Sequence, residues 1–250
     1  STKRGVVKKL INSLLSAFEK YHLQFVDEVI LANQPFEKTI YKKRGLPETI
    51  VENFPIIDRL NAVKHQKENP IILYKGQVSS DRGLSQLLDA FKLVLNFDSS
   101  IQLQIIGPPR SEEFSKTLKQ KVSQLGCENN VEIIDDIPHD LIWSYMEKAT
   151  IGVIPSLNFP RVMVDTPTKL FEYMASGTPI IALGPTESDV EAILKSTNTG
   201  QYFYYSDKED IKLQILSYFE AYKTNSLTVH ATGLERYSRK SLTKVLSEII

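Results

Sequence analysis

The chain has 250 residues, in which 30 lysines and arginines balance 30 aspartates and glutamates, so the formal net charge is zero. Apolar residues make up 42% and charged residues 24%, the composition of an ordinary globular protein, and the even charge argues against a general nucleic-acid binder, which is normally basic. The single cysteine, Cys127, excludes an internal disulfide and a cysteine-rich zinc site, and the longest apolar runs fall far short of the ~20 residues that span a bilayer.

The opening Ser1-Thr-Lys-Arg-Gly leads into an amphipathic pattern and not into the unbroken apolar core of a signal peptide. It has no initiator methionine. The expectation is an intracellular soluble protein, read from part of a longer chain. Val6, Leu10, Leu14 and Phe18 predict a helix over 6–21. Lys3, Arg4, Lys8 and Lys9 form a small basic cluster on it, read first as a solvated helix end and second as a membrane-surface contact. A strand follows over 26–31, then a helix over 36–44 stopped at Gly45-Leu-Pro, then a short strand at Ile50 and Val51. That is too little for an independent doubly wound domain, and it has the look of the tail of one. Residues 58–69 read as a linker.

From about residue 70 strands and helices alternate. Ile71 to Tyr74 is an apolar run ended by Gly76, a buried strand. Leu84, Leu87, Leu88, Phe91, Val94 and Leu95 give one face of a helix opened by Gly83. A strand over 101–106 ends at Gly107-Pro-Pro. Phe114, Leu118, Val122 and Leu125 mark the next helix, stopped by Gly126. Further strands are expected over 131–134, 150–154, 179–182 and 201–205. Helices are expected over 139–148, 167–176, 188–195, 208–223 and 233–250. Such alternation predicts an α/β, Rossmann-like, doubly wound parallel sheet with helices on both faces. Ligands of such sheets bind beyond the carboxyl ends of the strands, at the switch point. Residues 76–83, 107–110, 137–139 and 156–169 should therefore share one rim.

The most informative segment runs from Asp165 to Ile181. Thr166 suits an N-cap and Pro167 a first helical position. The helix start makes an anion site at Thr168 and Lys169. A lysine in a first turn opposes the helix dipole by a few tenths of a kcal/mol, a cost that an anionic ligand reverses. Glu172 stands among Leu170, Phe171, Tyr173 and Met174. Buried there, it needs a partner, and a ribose diol is a suitable one; the alternative is a carboxylate facing solvent on an amphipathic helix. In the loop 74–83, Gly76 permits close approach of backbone to a ligand, and Arg82 offers a fork of donors to a phosphate, against the alternative of an ordinary loop with a solvated arginine. The loop is not the G-x-G-x-x-G fingerprint of NAD sites. His22, His65, His139 and His230 show no metal-ligand spacing. No G-x-S-x-G elbow or Walker A lysine occurs.

Pro-Thr-Lys-Leu-Phe-Glu-Tyr-Met-Ala-Ser-Gly-Thr-Pro-Ile at 167–180 resembles the P-x-K-L-F-E-Y-M-A-x-G-x-P-V/I signature of GT-B glycosyltransferases of the family 4 group. The Tyr74-Lys-Gly…Asp-Arg-Gly83 loop is similar to that group's Y-x-G…R-G loop, and Ile105-Ile-Gly107 to its strand and glycine. Val26-Asp-Glu-Val-Ile…Ile50-Val-Glu-Asn-Phe-Pro55 and Leu234-Glu-Arg-Tyr-Ser…Leu246 are similar to its A-D-x-V-I…V-x-N-x-P passage and its final helix. The resemblance covers nearly the whole chain in order.

It implies a GT-B fold: a donor-binding domain over 67–228, a partial second Rossmann-like domain with linker over 1–66, and a crossover helix over 229–250 returning to the first domain. It implies transfer of a sugar from a nucleotide sugar to a glycan or lipid-linked acceptor, usually with retention, with no metal and no cofactor. The alternatives are a nucleotide-sugar epimerase-like relative and a non-catalytic nucleotide-sugar-binding subunit. Carried over by residue, Glu172 would hold the ribose hydroxyls, and Arg82 the diphosphate, helped by Thr168 and Lys169. Arg82, Lys169 and Glu172 form the implied catalytic set. Gly76 and Gly107 would admit the diphosphate, and the Ile137 backbone would meet the base. Two positions depart from the family pattern. Val164 stands where an earlier glutamate is usual, with Asp165 beside it as a substitute sugar contact. Gln77 replaces an arginine, leaving Arg82 as the loop's only strong cation. A whole enzyme of two such domains needs ~350–400 residues, so most of the acceptor-side N-terminal domain is expected to be missing. The implied location is cytoplasmic, with peripheral attachment to the cytoplasmic membrane face as an option.

Overall fold

The computed structural model describes residues 2–32, 40–51, 54, 70–156, 166–186 and 188–249. The chain divides into two units, Ser1–Asn53 and Phe54–Ile250. In the first, helix α1 (Thr2–His22) is followed by a 3-10 turn, strand β1 (Val29–Leu31), helix α2 (Ile40–Lys43) and strand β2 (Glu48–Ile50). The two strands pair in parallel, Val29 opposite Glu48. That register starts β2 earlier than its apolar residues suggest. The predicted stripe of α1 forms, and Val6, Leu10, Leu14 and Phe18 are all more than 60% exposed. Of the helix expected over 36–44, residues 36–39 lie outside the described residues and Ile40–Lys43 is helical; all of the linker expected over 58–69 lies outside them.

The second unit is built on six strands: β3 (Ile71–Lys75), β4 (Gln102–Ile106), β5 (Val131–Ile134), β6 (Ile151–Pro155), β7 (Ile180–Gly184) and β8 (Gly200–Tyr204). Their order is β5-β4-β3-β6-β7-β8, and every pairing is parallel. This is the predicted doubly wound α/β sheet. The chain runs outward one way from β3 and the other way from β6, so the switch point lies between those two strands.

Both faces of the sheet are covered, which is why its strands read as nearly continuous apolar runs. One face packs under α3 (Leu84–Leu95), α4 (Glu112–Gln124) and α8 (Lys208–Lys223), through Leu88, Phe91, Leu118, Ile215 and Phe219. The other packs under α5 (His139–Lys148), α6 (Thr168–Ala175) and α7 (Asp189–Thr197), through Met146, Leu170, Phe171, Met174 and Leu194. The period-2 alternation of strands divides the side chains: Ile72 and Tyr74 of β3 join the first core, Leu73 the second.

Two helix boundaries differ from expectation. Helix α6 begins at Thr168, with Pro167 extended at the N-cap and no side-chain cap; Thr166 is one residue too early to cap it. The helix expected over 233–250 is broken. A 3-10 turn, Leu234–Tyr237, ends at the extended Ser238, whose hydroxyl accepts from the Ser241 N–H and opens α9 (Arg239–Ile249). This end of the second unit buttresses α6. Phe171 meets Phe54 at 4.5 Å and Tyr237 at 5.3 Å between ring centroids, and Arg239 Nε donates to the Phe54 carbonyl at 3.1 Å.

Helix α6 lies close to β6 because Gly152 has no side chain. A Cβ there would come within 2.6–2.8 Å of three ring carbons of Tyr173. Gly152→Ala must displace that ring, and overpacking of this kind costs ~1–3 kcal/mol. Denaturant titration should show the loss; an unchanged midpoint would mean that α6 is not seated this tightly.

Candidate functional site

The loops at the carboxyl ends of β3 and β4 are tied together beyond the sheet. The Gly76 N–H donates to the Ile106 carbonyl at 2.9 Å and Gly107 N–H to Ile134 at 3.1 Å; Val78 N–H then bonds Pro108, and Arg110 N–H bonds Val78. Gly76 and Gly107 have φ of 144° and 148°, values that L side chains avoid. A Cβ at Gly107 would collide with the Gly76 carbonyl. The two glycines therefore let two backbones close on each other at the switch point. Beside them opens a cleft of about 590 Å³, lined by Lys75, Gly76, Gln77, Gly107, Asp136 and Ile137 with an apolar floor including Ile106 and Ile142.

Helix α6 packs against the end of β3, next to the cleft-lining Lys75 and Gly76. From Lys169 to Ala175 all its residues are buried, so beyond the exposed Thr168 it has no solvent face. Glu172 is 4% exposed, which overturns the solvent-facing alternative. Its partner is a protein group: Lys75 Nζ donates to Glu172 Oε1 at 3.0 Å and Oε2 at 2.7 Å. The Tyr173 hydroxyl accepts from the Lys75 N–H at 3.1 Å and donates to the Leu73 carbonyl at 2.8 Å. The end of β3 is thus held to α6 by backbone and side chain together.

Lys169, 8% exposed, points its amine over the Tyr74 ring, 4.1 Å from the centroid. The Tyr74 hydroxyl donates to the Gln77 carbonyl at 2.8 Å, and burial raises its pKa. Burial, then the charges of Arg82 and Lys75, lower the Lys169 amine to about 7, with the Glu172 carboxylate acting the other way. Arg82 is exposed in the 3-10 turn Ser80–Arg82 and makes no ion pair among the described residues. Its neighbour Asp81 accepts from Ser79 Oγ and, at 3.4 Å, from Arg110. The Ser79 hydrogen bond, more than the nearby arginines, lowers the Asp81 pKa. Gly83, in the left-handed region, seats this loop on β6: a Cβ there would lie 3.1 Å from Pro155 Cβ.

Of the residues singled out from sequence, Gly76, Gln77, Gly107 and Ile137 meet in the cleft. Lys169 and Glu172 stand behind it on α6, and Thr168 is exposed at the helix start. Val164 and Asp165 lie outside the described residues, as does the His139 side chain. Sequence reasoning passed over Lys75, Tyr173 and Asp136. A signal for Lys75 existed: it is the one charge in an apolar strand, two residues after Leu73 and so on the face that meets α6.

Residues 58–228 match the family model of the glycosyl transferases group 1. The chain belongs to this family. Among its relatives, this group 1 chain is similar to a lipopolysaccharide 1,2-N-acetylglucosaminetransferase of Salmonella typhimurium, 27% identical over 147 residues, covering 50% of the chain and 37% of that protein. Its fold is similar to sucrose-phosphate synthase of Thermosynechococcus elongatus (TM-score 0.70, 18% identity, 92% of this chain and 59% of that one). It is also similar to HepE of Anabaena, solved in complex with UDP and glucose (TM-score 0.69, 15% identity, 90% and 63%). The fold is that of a GT-B Rossmann-like domain, and the chain spans less than two thirds of these relatives' lengths.

Lys169 gives this group 1 chain a pH signature. Its pKa falls on folding from 10.5 to about 7. Between those values the unfolded chain holds a proton that the folded chain has released, so stability rises with pH across the window. The whole effect amounts to a few kcal/mol at most, at about 1.4 kcal/mol per pH unit. Denaturant titrations of wild type and Lys169→Met across the window should show a shallower rise in the variant. Equal slopes would contradict the burial of a titrating amine.

Proposed function

We propose that this chain is the donor-binding part of a family 4-type glycosyltransferase that moves a sugar from a nucleotide sugar to a glycan or lipid-linked acceptor, with retention at the anomeric carbon. The observation that carries the reading is the meeting, at the switch point of a group 1 sheet, of two close-approach glycines that line one cleft, with a buried lysine and a buried glutamate on the helix behind it. The HepE complex with UDP and glucose supports this class of ligand, and the Salmonella relative supports a glycan acceptor.

In this reading the diphosphate lies against Gly76, Arg82, Lys169 and the N–H groups at the start of α6. The buried Lys169 and the backbone donors are held in place before the reaction. They stabilise the charge that gathers on the diphosphate as the bond from the anomeric carbon to its oxygen breaks and the electron pair moves to the phosphate. The acceptor hydroxyl bonds to the anomeric carbon and gives its proton to the departing diphosphate oxygen. Glu172 takes the ribose hydroxyls, the Ile137 backbone the base, and Asp165, with Val164 in the glutamate position, the sugar. Acceptor recognition is assigned to the part of the whole protein that this chain does not span.

Calorimetry with nucleoside diphosphates tests the phosphate role. A hydrogen bond to a charged group contributes ~1.5–3 kcal/mol, so Arg82→Ala should weaken binding roughly 10- to 100-fold. Unchanged affinity would remove Arg82 from the site. Transfer of a labelled sugar by the whole protein tests the activity, and retention of label in the nucleotide sugar across a broad acceptor panel would count against it.

A further inference from the structure

Lys75 serves neither the phosphate nor the base in the reading above, yet it lines the cleft and pairs with the most buried charge beside it. The geometry points to Lys75 as a positioning and specificity residue: it fixes the Glu172 carboxylate for the ribose 2′ and 3′ hydroxyls and so sets a preference for ribonucleotides over 2′-deoxyribonucleotides. This inference rests on the proposed role of Glu172.

Three observations carry it. First, the pairing is two-pronged, at 3.0 and 2.7 Å to the two carboxylate oxygens. The terminal torsion of a glutamate is otherwise broad and soft, and holding both oxygens on one ammonium removes that freedom. Second, Lys75 is itself held. Its N–H donates to the Tyr173 hydroxyl one residue along α6 from Glu172, and β3 is fixed in register by β4 on one side and β6 on the other. The ammonium is presented from a rigid strand end, not from a mobile loop. Third, the Lys75 side chain is 22% exposed and that of Glu172 only 5%, so the pair meets the cleft through its cationic member.

The chemistry of the pair suits a vicinal diol. An ammonium offers only donors and a carboxylate only acceptors, while each ribose hydroxyl can both give and accept. Side by side, the two groups match both hydroxyls of a ribose and lose a partner when the 2′ oxygen is removed. The ammonium also offsets a carboxylate that would otherwise stand unscreened near a diphosphate.

The test is calorimetric titration of the full chain with UDP, GDP and their 2′-deoxy counterparts. Wild type should prefer the ribonucleotide by about 10-fold, the worth of a hydrogen bond to a charged group. Lys75→Met should shrink that preference to about 2-fold, Lys75→Arg should keep most of it, and in a Glu172→Gln background Lys75→Met should change it no further. A merely structural lysine predicts something else: equal weakening toward ribo and deoxy ligands with the preference intact, a result that overturns the inference. If Lys75→Met fails to fold, Lys75→Gln, which removes the charge and keeps a polar side chain, replaces it, with the same fall in preference expected and the same overturning result. Failure of the underlying assignment looks different again. Wild type would then bind none of these nucleotides, or Glu172→Gln would leave the ribose preference untouched.

Discussion

A helix buried on every side past its first residue must find a protein or ligand partner for every polar group it carries there. Helix α6 is such a helix, and it carries Lys169, Glu172 and Tyr173. Burying unpaired charge or an unpaired hydroxyl is costly, so the rest of the second unit is arranged around these three groups. Strand β3 ends in Lys75, which answers Glu172 by its side chain and Tyr173 by its backbone. Gly152 makes room for the tyrosine ring, and Phe54, Phe171 and Tyr237 close the helix from behind. Lys169 lies over a ring face, and its burial, then the charges of Arg82 and Lys75, bring its amine to about 7.

This asymmetry connects the fold to the proposed chemistry. Two of the three buried groups are answered within the protein, and they stiffen the junction of β3 and α6. The third keeps an unfavourable charge environment made by Arg82 and Lys75. An anionic ligand at the start of α6 turns that penalty into binding energy, because it attracts the same three cations that repel one another without it. A neutral chain can therefore hold a strongly cationic corner, confined to one end of one sheet.

Much of this was legible in the sequence. Parallel strands covered on both faces read as unbroken apolar runs, so Ile71, Leu103, Ile151 and Ile180 announced their strands directly. Gly76 and Gly107 stood out because each follows a strand and opens a turn. What pattern could not supply was pairing across the chain. Lys75 and Glu172 lie 97 positions apart and meet only because β6 inserts beside β3 and carries α6 back over it. Pattern reasoning was also divided on whether Glu172 faced water, since an eight-residue helix holds too few turns to show whether it has a polar side. Packing from three directions settles that, and none of those neighbours is local. The first unit was read less well because its strands are three residues long and their bounds follow from mutual register more than from composition.

The central claim is that the junction of β3 and α6 is a nucleotide site whose acidic and basic groups are divided between ribose and diphosphate. A crystal structure of the chain with a bound nucleoside diphosphate tests this most directly. The account predicts phosphate oxygens within hydrogen-bond reach of Arg82, Lys169 and the first N–H groups of α6, and ribose hydroxyls on Glu172 with its Lys75 pairing intact. A nucleotide bound elsewhere, or one that splits the Lys75–Glu172 pair to place phosphate on Lys75, would contradict it.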